Sequence, residues 1–423
     1  MVDARASSTW RPPAFDTAMK WATTTLVFCV AVLVGLGLVM LYSASMNMEV
    51  AQKSAMRASA GLAAATKAGS LAAKPAVAVG ADYLLSQLVW LAFGVVGCVA
   101  AARIDYRRWK KISPFLLAVS VVLLLLVFAP VVGIGRKGAH RWIGLPGLPH
   151  FQPSELARLS LILFLAAYGE WFQRQMTSLR KGLIIPGLII ALVLGLIFIE
   201  PDRGCAILLA LVAGSVLIVA GVRLRYLLLP ALGLLAALGL SIWRDPMRLR
   251  RIMAWLHPQA NKEGAGYQAY QAMIALGSGG WSGLGLGNGR QKLGFVPEHH
   301  TDFIFSIIGE ELGLIATLGV VALFIVLVFC GVYIARRSND TFGLLLGTGI
   351  TFMIGLQAFI NMGVVTSLLP NKGMPLPFIS YGGSNLLLTL IGVGLLLSIS
   401  RFAIEPPKRR RNPFESTPEL ADA

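Results

Sequence analysis

Residues 297–334 read PEHHTDFIFSIIGEELGLIATLGVVALFIVLVFCGVYI, and they join a polar loop to a long apolar segment. The apolar part exceeds the ~20 residues that an α-helix needs to cross a bilayer. Asp302 stands at the junction, and Glu310 and Glu311 follow inside the apolar run. Carboxylates at membrane depth are costly and mark functional sites. The stretch therefore predicts a membrane helix with an acid at its entrance.

The composition around this stretch extends the prediction to the whole chain. Hydrophobic residues make up 56% of the 423 residues and charged residues only 13%, whereas a soluble domain carries about 25% charged residues. We predict an all-α polytopic membrane protein, with about ten transmembrane helices and large irregular external loops. The predicted spans lie near 22–43, 83–102, 113–132, 155–170, 183–199, 204–221, 226–243, 303–334, 341–364 and 383–401.

The charge distribution predicts the topology. Basic clusters in the short loops and in the tail place both termini in the cytoplasm, by the positive-inside rule. We therefore expect a cytoplasmic N-terminal tail (1–21), one integral membrane domain (22–401) and a basic cytoplasmic C-terminal tail (402–423). The net charge of +17 indicates anionic lipid rather than nucleic acid.

The largest external loop spans 244–302 and carries seven Lys or Arg residues. An anionic ligand and lipid headgroups account for them equally well. The loop opens with a basic amphipathic stretch, and its many glycines exclude a long regular helix and favour close backbone approach. Loop 44–82 is Ala-rich and weakly helical at most, and loop 133–154 is rich in turn-forming Gly and Pro. No function is assigned to loop 44–82.

Two polar constellations precede the loop. Glu155 and Arg158 are three residues apart, so they share a helix face and can form a structural ion pair. Asp202 follows Glu200 in a tight turn, where it either holds a cation or substrate or is simply solvated.

Two further polar constellations lie at the end of the loop 244–302 and between the last two predicted spans. Asp302, with His300 before it and Glu310 after it, suits both a general base and a helix N-cap. Lys372 and Ser380 flank irregular, Gly-rich backbone at membrane depth, which suits either a phosphate cradle or a structural re-entrant turn. The four cysteines and five histidines have no metal-ligand spacing.

Several long motifs in fixed order resemble the SEDS family of shape, elongation, division and sporulation proteins. These are HRWIGLPGLPHFQPSELARL, EPDRG, GLGLGNGRQKLGFVPEHHTDFIFSIIGEELG and LLPNKGMPLPFISYGGSNLL. The third and fourth are more similar to the cell-division members than to the rod-elongation members. Arg158 and Arg203 depart from the Lys and Leu that the family commonly has.

The resemblance implies a ten-helix peptidoglycan glycosyltransferase that polymerises lipid II during septal synthesis in the cytoplasmic (inner) membrane. It implies that Asp302 is the essential acid, that Glu155 and Arg158 are the membrane charge pair, and that Lys372 is the loop lysine. It also implies a class B penicillin-binding transpeptidase as partner, together with other divisome proteins.

From these residues we expect Asp302 to deprotonate the acceptor sugar. Basic residues, or a bound Mg²⁺ or Mn²⁺ whose ligands are unknown, would offset the charge of the leaving pyrophosphate. Glu155, Arg158, Asp202 and Glu310 would support the site. A lipid II flippase and a non-catalytic scaffold for a transpeptidase are the alternatives. The expected substrate-binding residues are Arg136, Lys137, Arg141, Lys292, His300, Lys372 and Ser380.

Overall fold

The computed structural model describes residues 13–63, 76–129, 133–136, 139–144, 150–257, 264, 266–293 and 300–404. Within these ranges the chain forms twelve α-helices and one short hairpin. The helices are α1 (Pro13–Ala63), α2 (Ala76–Arg103), α3 (Tyr106–Leu126), α4 (Pro153–Trp171), α5 (Ile185–Ile199), α6 (Arg203–Val219), α7 (Leu224–Trp243), α8 (Pro246–Leu256), α9 (Tyr267–Ser278), α10 (Ile304–Arg336), α11 (Thr341–Val365) and α12 (Gly383–Ile404).

Ten of these helices, all except α8 and α9, correspond to the ten predicted spans. In the described residues, eight of the ten are long and apolar enough to cross a membrane, and α5 is among them because a π-helical turn at Arg180–Ile184 extends it. The remaining two are α4, which carries three ionisable residues, and α6, which is 17 residues long. The prediction of an all-α polytopic membrane protein is confirmed.

The first helix is longer than its predicted span at both ends. It starts at Pro13, inside the predicted tail, and continues to Ala63, so the first half of loop 44–82 is helical. Alanine has the highest helix propensity, and the Ala-rich sequence extends the helix beyond its apolar section.

A hairpin replaces part of the loop 133–154, which the sequence predicted to consist of turns. Strand β1 (Gly133–Arg136) pairs antiparallel with β2 (Ala139–Ile143). Ile143 then forms a bridge with Phe151, and this bridge places the hairpin directly before α4.

The long loop 244–302 is folded onto the helix bundle. Helix α8 covers its basic amphipathic stretch, and Trp255 of α8 donates a hydrogen bond to the Ser367 carbonyl (2.9 Å). Helix α9 ends at Ser278, where the glycine run begins. The end of the bundle that carries this loop, the hairpin and residues 366–382 is called the loop face below.

The glycine run and a kink in α10 fit together, as a pair called the glycine clasp below. Gly313 interrupts α10 with φ of 80°, and Gly283 also has φ of 80°. A Cβ atom on Gly283 would lie 2.1 Å from the Glu311 carbonyl oxygen. The backbone nitrogens of Leu284 and Gly285 donate to the carbonyls of Glu310 and Glu311, at 2.9 and 3.0 Å. The close approach expected of the glycines is therefore to α10.

The opposite end of the bundle is fixed by Asp340, which caps α11. Its carboxylate accepts hydrogen bonds from the Tyr106 hydroxyl (2.9 Å) and from Nε of Arg107 (2.8 Å). The polar contacts of Asp340 thus join helices to one another. The hairpin, the loop 244–302 and residues 366–382 lie at the loop face instead.

Candidate active site

Asp302 lies at the loop face, two residues before α10 begins. The N-cap of α10 is Phe303, with no side-chain capping hydrogen bond, so Asp302 does not occupy the capping position. The Asp302 side chain is half-buried, and it packs against the backbone of Gly373. The first helical turn of α10 and an irregular segment of the chain thus meet at this carboxylate.

That irregular segment, residues 366–382, joins α11 to α12 and is called the lysine loop below. The Tyr381 backbone nitrogen donates to the His300 carbonyl (2.9 Å), and the Ser380 hydroxyl donates to the Thr301 carbonyl. The same Ser380 oxygen accepts from the Leu376 nitrogen (2.7 Å). These bonds attach the lysine loop to the chain directly before Asp302.

The contacts of Ser380 and His300 differ from the substrate-binding roles that we expected. Ser380 is 4% exposed, and its hydroxyl is used by two backbone groups, so it holds the loop together. The His300 ring packs between Tyr83 and Tyr381, with ring centroids 5.2 and 6.0 Å away.

A buried polar network lies beneath the lysine loop. Glu155 and Arg158 form an ion pair within α4, as their spacing predicts, and both are more than 90% buried. Asn385 of α12 donates to Glu155 (3.1 Å), and Arg158 donates to the side-chain oxygen of Gln357 (2.9 Å). A buried charge is tolerated only when it is paired and hydrogen-bonded, and this network meets that condition for Glu155.

Two amides of α11 connect the network to the lysine loop. Gln357 donates to the Pro375 carbonyl (2.8 Å). Asn361, one turn later, donates to the carbonyls of both Met374 (2.6 Å) and Asp302 (2.8 Å). We predicted no site role for either amide from the sequence, although two amides four residues apart in an apolar run lie on one helix face.

The turn between α5 and α6 borders the lysine loop. Asp202 is buried and caps α6 by accepting from the Cys205 nitrogen (3.2 Å), so it is neither exposed nor solvated. It also accepts from Gln152 (3.2 Å). Burial lowers the pKa of the Lys372 ammonium, and the Asp202 carboxylate opposes that effect. Lys372 thus lies near the Asp202 carboxylate, and the next residue, Gly373, contacts Asp302.

Glu200 is the most deeply buried acid of this turn, with 1% exposure. Among the described residues, neither of its carboxylate oxygens has a hydrogen-bond partner. Burial and the nearby Asp202 raise the pKa of Glu200 to about 8, against the opposing effect of Arg141. Arg141 donates to the backbone carbonyls of Glu200 (3.1 Å) and Pro201 (2.6 Å), which fixes the turn against β2.

The comparisons with known proteins match most of the chain. Residues 56–405 match the model of the FtsW/RodA/SpoVE family, described as cell cycle proteins. The chain belongs to this family. The SEDS resemblance of the sequence motifs is thereby confirmed.

Two relatives of this chain carry the same name. A probable peptidoglycan glycosyltransferase FtsW from Geobacter metallireducens is 43% identical over 318 residues, which are 75% of this chain and 84% of that protein. One of the same name from Marinobacter nauticus is 38% identical over 390 residues, 91% of this chain and 90% of that protein.

Two solved structures share the fold of the family. One is a chain from a peptidoglycan synthase complex that coordinates polymerization and crosslinking. It has a TM-score of 0.70 and 28% identity, and the match covers 90% of this chain and 98% of that one. The other, the rod shape determining protein RodA of Thermus thermophilus, has a TM-score of 0.59 and 27% identity, with 90% and 97% covered.

Lys292 is buried where loop 280–293 meets α1 and α10. It is 1% exposed and ion-paired to Glu311, and it donates to the Ser43 hydroxyl (2.9 Å). Glu310 accepts from the backbone nitrogens of Arg290 (2.7 Å) and Gln291. Lys292 therefore holds loop 280–293 against α1 and α10, and in this conformation its ammonium is not open to a substrate. Glu310 thus fixes the same loop, and the supporting role that we expected of it in the reaction stays a prediction.

The remaining predicted residues are in the hairpin region. Arg136 is the last residue of β1, and Lys137 lies outside the described residues. Of the described residues, no group of three or more His, Cys, Asp or Glu side chains could hold a metal ion. Among the described cations that we expected at the site, Arg141 is bonded to the turn at Glu200 and Pro201, and Lys372 lies near Asp202.

Proposed function

We propose that this chain is a peptidoglycan glycosyltransferase that polymerises lipid II into glycan strands. The names of the two relatives, and the polymerizing complex to which the structural neighbour belongs, support the reaction. The observation that carries the proposal is the placement of the half-buried Asp302 carboxylate against Gly373, next to Lys372.

In the proposed reaction, Asp302 takes the proton from the 4-hydroxyl of the acceptor sugar. The hydroxyl oxygen attacks C1 of the donor sugar, and the bond from C1 to the lipid pyrophosphate breaks. A positioned general base contributes about 10²–10⁴-fold to such a rate. Among the described residues, no second acid is placed as a nucleophile, and we therefore propose a single displacement that inverts the configuration at C1.

The leaving pyrophosphate would bind next to Lys372 and Arg141. The pKa of Lys372 is lowered chiefly by burial, and an anion beside this ammonium offsets the cost of burying its charge. A divalent cation, Mg²⁺ or Mn²⁺, would take most of its ligands from the pyrophosphate and from water, as Mg²⁺ commonly does. Its chemistry would be the neutralisation of negative charge on the departing group.

The buried polar groups support surface chemistry over transport. A pathway for lipid II headgroups requires polar groups that are available along the membrane depth. Glu155 and Arg158 are paired with each other, Gln357 bonds to the lysine loop, and Glu311 is paired with Lys292. These groups are engaged by the protein, which favours the polymerase over the flippase.

We further propose the setting of this reaction. The loop face lies on the outer side of the cytoplasmic membrane, both termini are cytoplasmic, and the enzyme works at the septum. Its partner is a class B penicillin-binding transpeptidase, within the divisome. The membership of the structural neighbour in a peptidoglycan synthase complex supports a partner of this kind.

The test is polymerisation of labelled lipid II by the purified protein and its transpeptidase, comparing the parent with Asp302→Asn. Glycan strands from the parent, and at least about 10²-fold fewer from the folded variant, would support Asp302 as the base. Asp105→Asn is the matched control, because Asp105 caps α3 at the opposite end of the bundle and asparagine caps equally well.

Equal polymerisation by the parent and Asp302→Asn would remove Asp302 from the chemistry. If neither makes strands, while reconstituted vesicles scramble labelled lipid II, the chain is a flippase. If neither does either, and division is supported equally by both forms, the scaffold is correct.

A further inference from the structure

We propose that Asn361 is a positioning residue for the reaction, because its amide holds the backbone of Asp302 at a fixed distance from the lysine loop. The proposal rests on the proposed function, in which Asp302 is the general base.

The geometry of the amide is the first argument. Asn361 is 1% exposed, and its side-chain nitrogen donates to the carbonyls of Asp302 (2.8 Å) and Met374 (2.6 Å). An asparagine NH₂ has two donors, and each of the two is used on a different segment. Since both neighbours are carbonyl oxygens, only the NH₂ end of the amide can face them.

The position of these two carbonyls is the second argument. One belongs to Asp302 itself, and the other to Met374, the residue after Gly373. The Asp302 carboxylate packs directly against Gly373. The Asn361 amide thus binds the backbone on both sides of the contact, and the distance between the carboxylate and the loop is set by one side chain.

The continuity of the network is the third argument. One turn before Asn361, Gln357 donates to the Pro375 carbonyl and accepts from Arg158. The bond from Arg158 fixes the orientation of the Gln357 amide, so that its NH₂ group faces the loop. The buried pair of Glu155 and Arg158 therefore reaches the backbone beside Gly373 through Gln357, and it reinforces the position that Asn361 sets.

A purely structural role predicts a different kinetic result. A residue that only stabilises the fold changes the fraction of molecules that are active. A residue that positions the base changes the rate at which each active molecule reacts, and a displacement of about 1 Å at a reacting group can cost about 10²-fold. Burst kinetics with lipid II in excess separate the two, because the burst amplitude reports the active fraction and the burst rate constant reports the chemistry.

The experiment measures the burst of glycosidic-bond formation from labelled lipid II, supplied in excess over the enzyme in complex with its transpeptidase. Asn361→Leu keeps the branched shape at Cγ, with a larger volume, and removes both donors. Asn361→Ser is a smaller change that keeps one hydroxyl donor, and it serves if the leucine variant does not fold. The control is Thr351→Val in the same helix, because the Thr351 hydroxyl is buried but bonds only to its own helix, at Gly347.

We expect the rate constant of Asn361→Leu to fall by about 10–10²-fold, with most of the parental amplitude and a KM for lipid II within about threefold. The rate constant of Asn361→Ser should lie between those of the parent and Asn361→Leu. The rate constant of Thr351→Val should match that of the parent. A parental rate constant with reduced amplitude, or equal losses in Asn361→Leu and Thr351→Val, would overturn the proposal.

Asp302→Asn in the same assay tests the proposed function separately. If Asp302→Asn reacts like the parent, the base assignment fails, and Asn361 cannot be positioning it. If Asp302→Asn loses the reaction while the Asn361 variants keep the parental rate constant, the proposed function stands and only the positioning role is wrong.

Discussion

A Cβ atom added to Gly373 would lie 2.6 Å from Oδ2 of Asp302, closer than real Cβ atoms approach an oxygen. The lysine loop therefore contacts the proposed base at a position where any added side chain would collide with the carboxylate as it stands. The obstacle is the end of a flexible side chain and not a backbone atom, so the carboxylate can move aside.

Gly373→Ala should therefore lower activity without unfolding the protein. We expect the turnover number for lipid II to fall by about 10–10²-fold, because the added methyl group displaces the carboxylate. The control is Gly382→Ala in the same loop, where the nearest atom to an added Cβ lies 3.6 Å away. Polymerisation assays on both variants check the prediction, and equal activities would contradict it.

Removing one member of the buried pair in α4 should destabilise the protein. Arg158→Met leaves the Glu155 carboxylate buried without its cation, which typically costs about 3–5 kcal/mol. The double variant Glu155→Leu with Arg158→Met removes both charges and should lose less. Thermal unfolding in detergent measures both. A double variant that is less stable than Arg158→Met would contradict this prediction, because the unpaired Glu155 carboxylate would then stabilise the fold.

Glu200 should make stability depend on pH. Its folded-state pKa is raised from 4.5 to about 8, so the folded protein holds a proton that the unfolded chain releases. The contribution of Glu200 to stability is therefore greatest below pH ~4.5, and it falls by up to about 1.4 kcal/mol per pH unit as the pH rises towards 8.

Glu200→Gln removes this titration. The unfolding midpoints of the parent and the variant should be similar at pH 5, and the variant should be the more stable of the two at pH 8. Thermal unfolding across this range measures the difference. Parallel pH profiles for the two proteins would show that Glu200 is ionised in the folded state.

Gly283→Ala should open the glycine clasp. The new methyl group would lie 2.1 Å from the Glu311 carbonyl oxygen, a backbone atom that cannot move aside. Gly287→Ala is the matched control: its φ is also positive, at 86°, but nothing lies within 4 Å of the added Cβ. Gly287→Ala should lower the free energy of unfolding by only the ~1–2 kcal/mol that a left-handed residue costs. Gly283→Ala should lower it clearly more.

Limited proteolysis of loop 280–293 in both glycine variants, compared with the parent, measures the opening directly. Faster cleavage in Gly283→Ala than in Gly287→Ala is the expected result. Similar cleavage in the two variants would mean that the clasp tolerates a side chain.

The parts that sequence could predict are those with local physical signals. Long apolar runs give the membrane helices, and the three-residue spacing of Glu155 and Arg158 gives their pairing. Asp302 is marked by its place at the entrance of a span. Each of these signals depends on residues that are close to one another along the chain.

The parts that sequence missed depend on distant contacts. Lys292 resembles any loop cation until the fold brings Glu311 and Ser43 to it. Asn361 is one amide in an apolar run, and its role follows only when Asp302 and Met374 are placed beside it. The weakly helical reading of loop 44–82 underestimated how far alanine extends α1.

The glycine clasp has a mechanical consequence. Loop 280–293 is bonded to the backbone of α10 at Glu310 and Glu311, and the Lys292 ion pair adds a second attachment. Because Asp302 immediately precedes α10, the loop is bonded to the same helical segment that begins beside the acid. A protein that binds this loop from outside would therefore act on the position of the carboxylate through the first turns of α10. No helix would have to unwind for this effect.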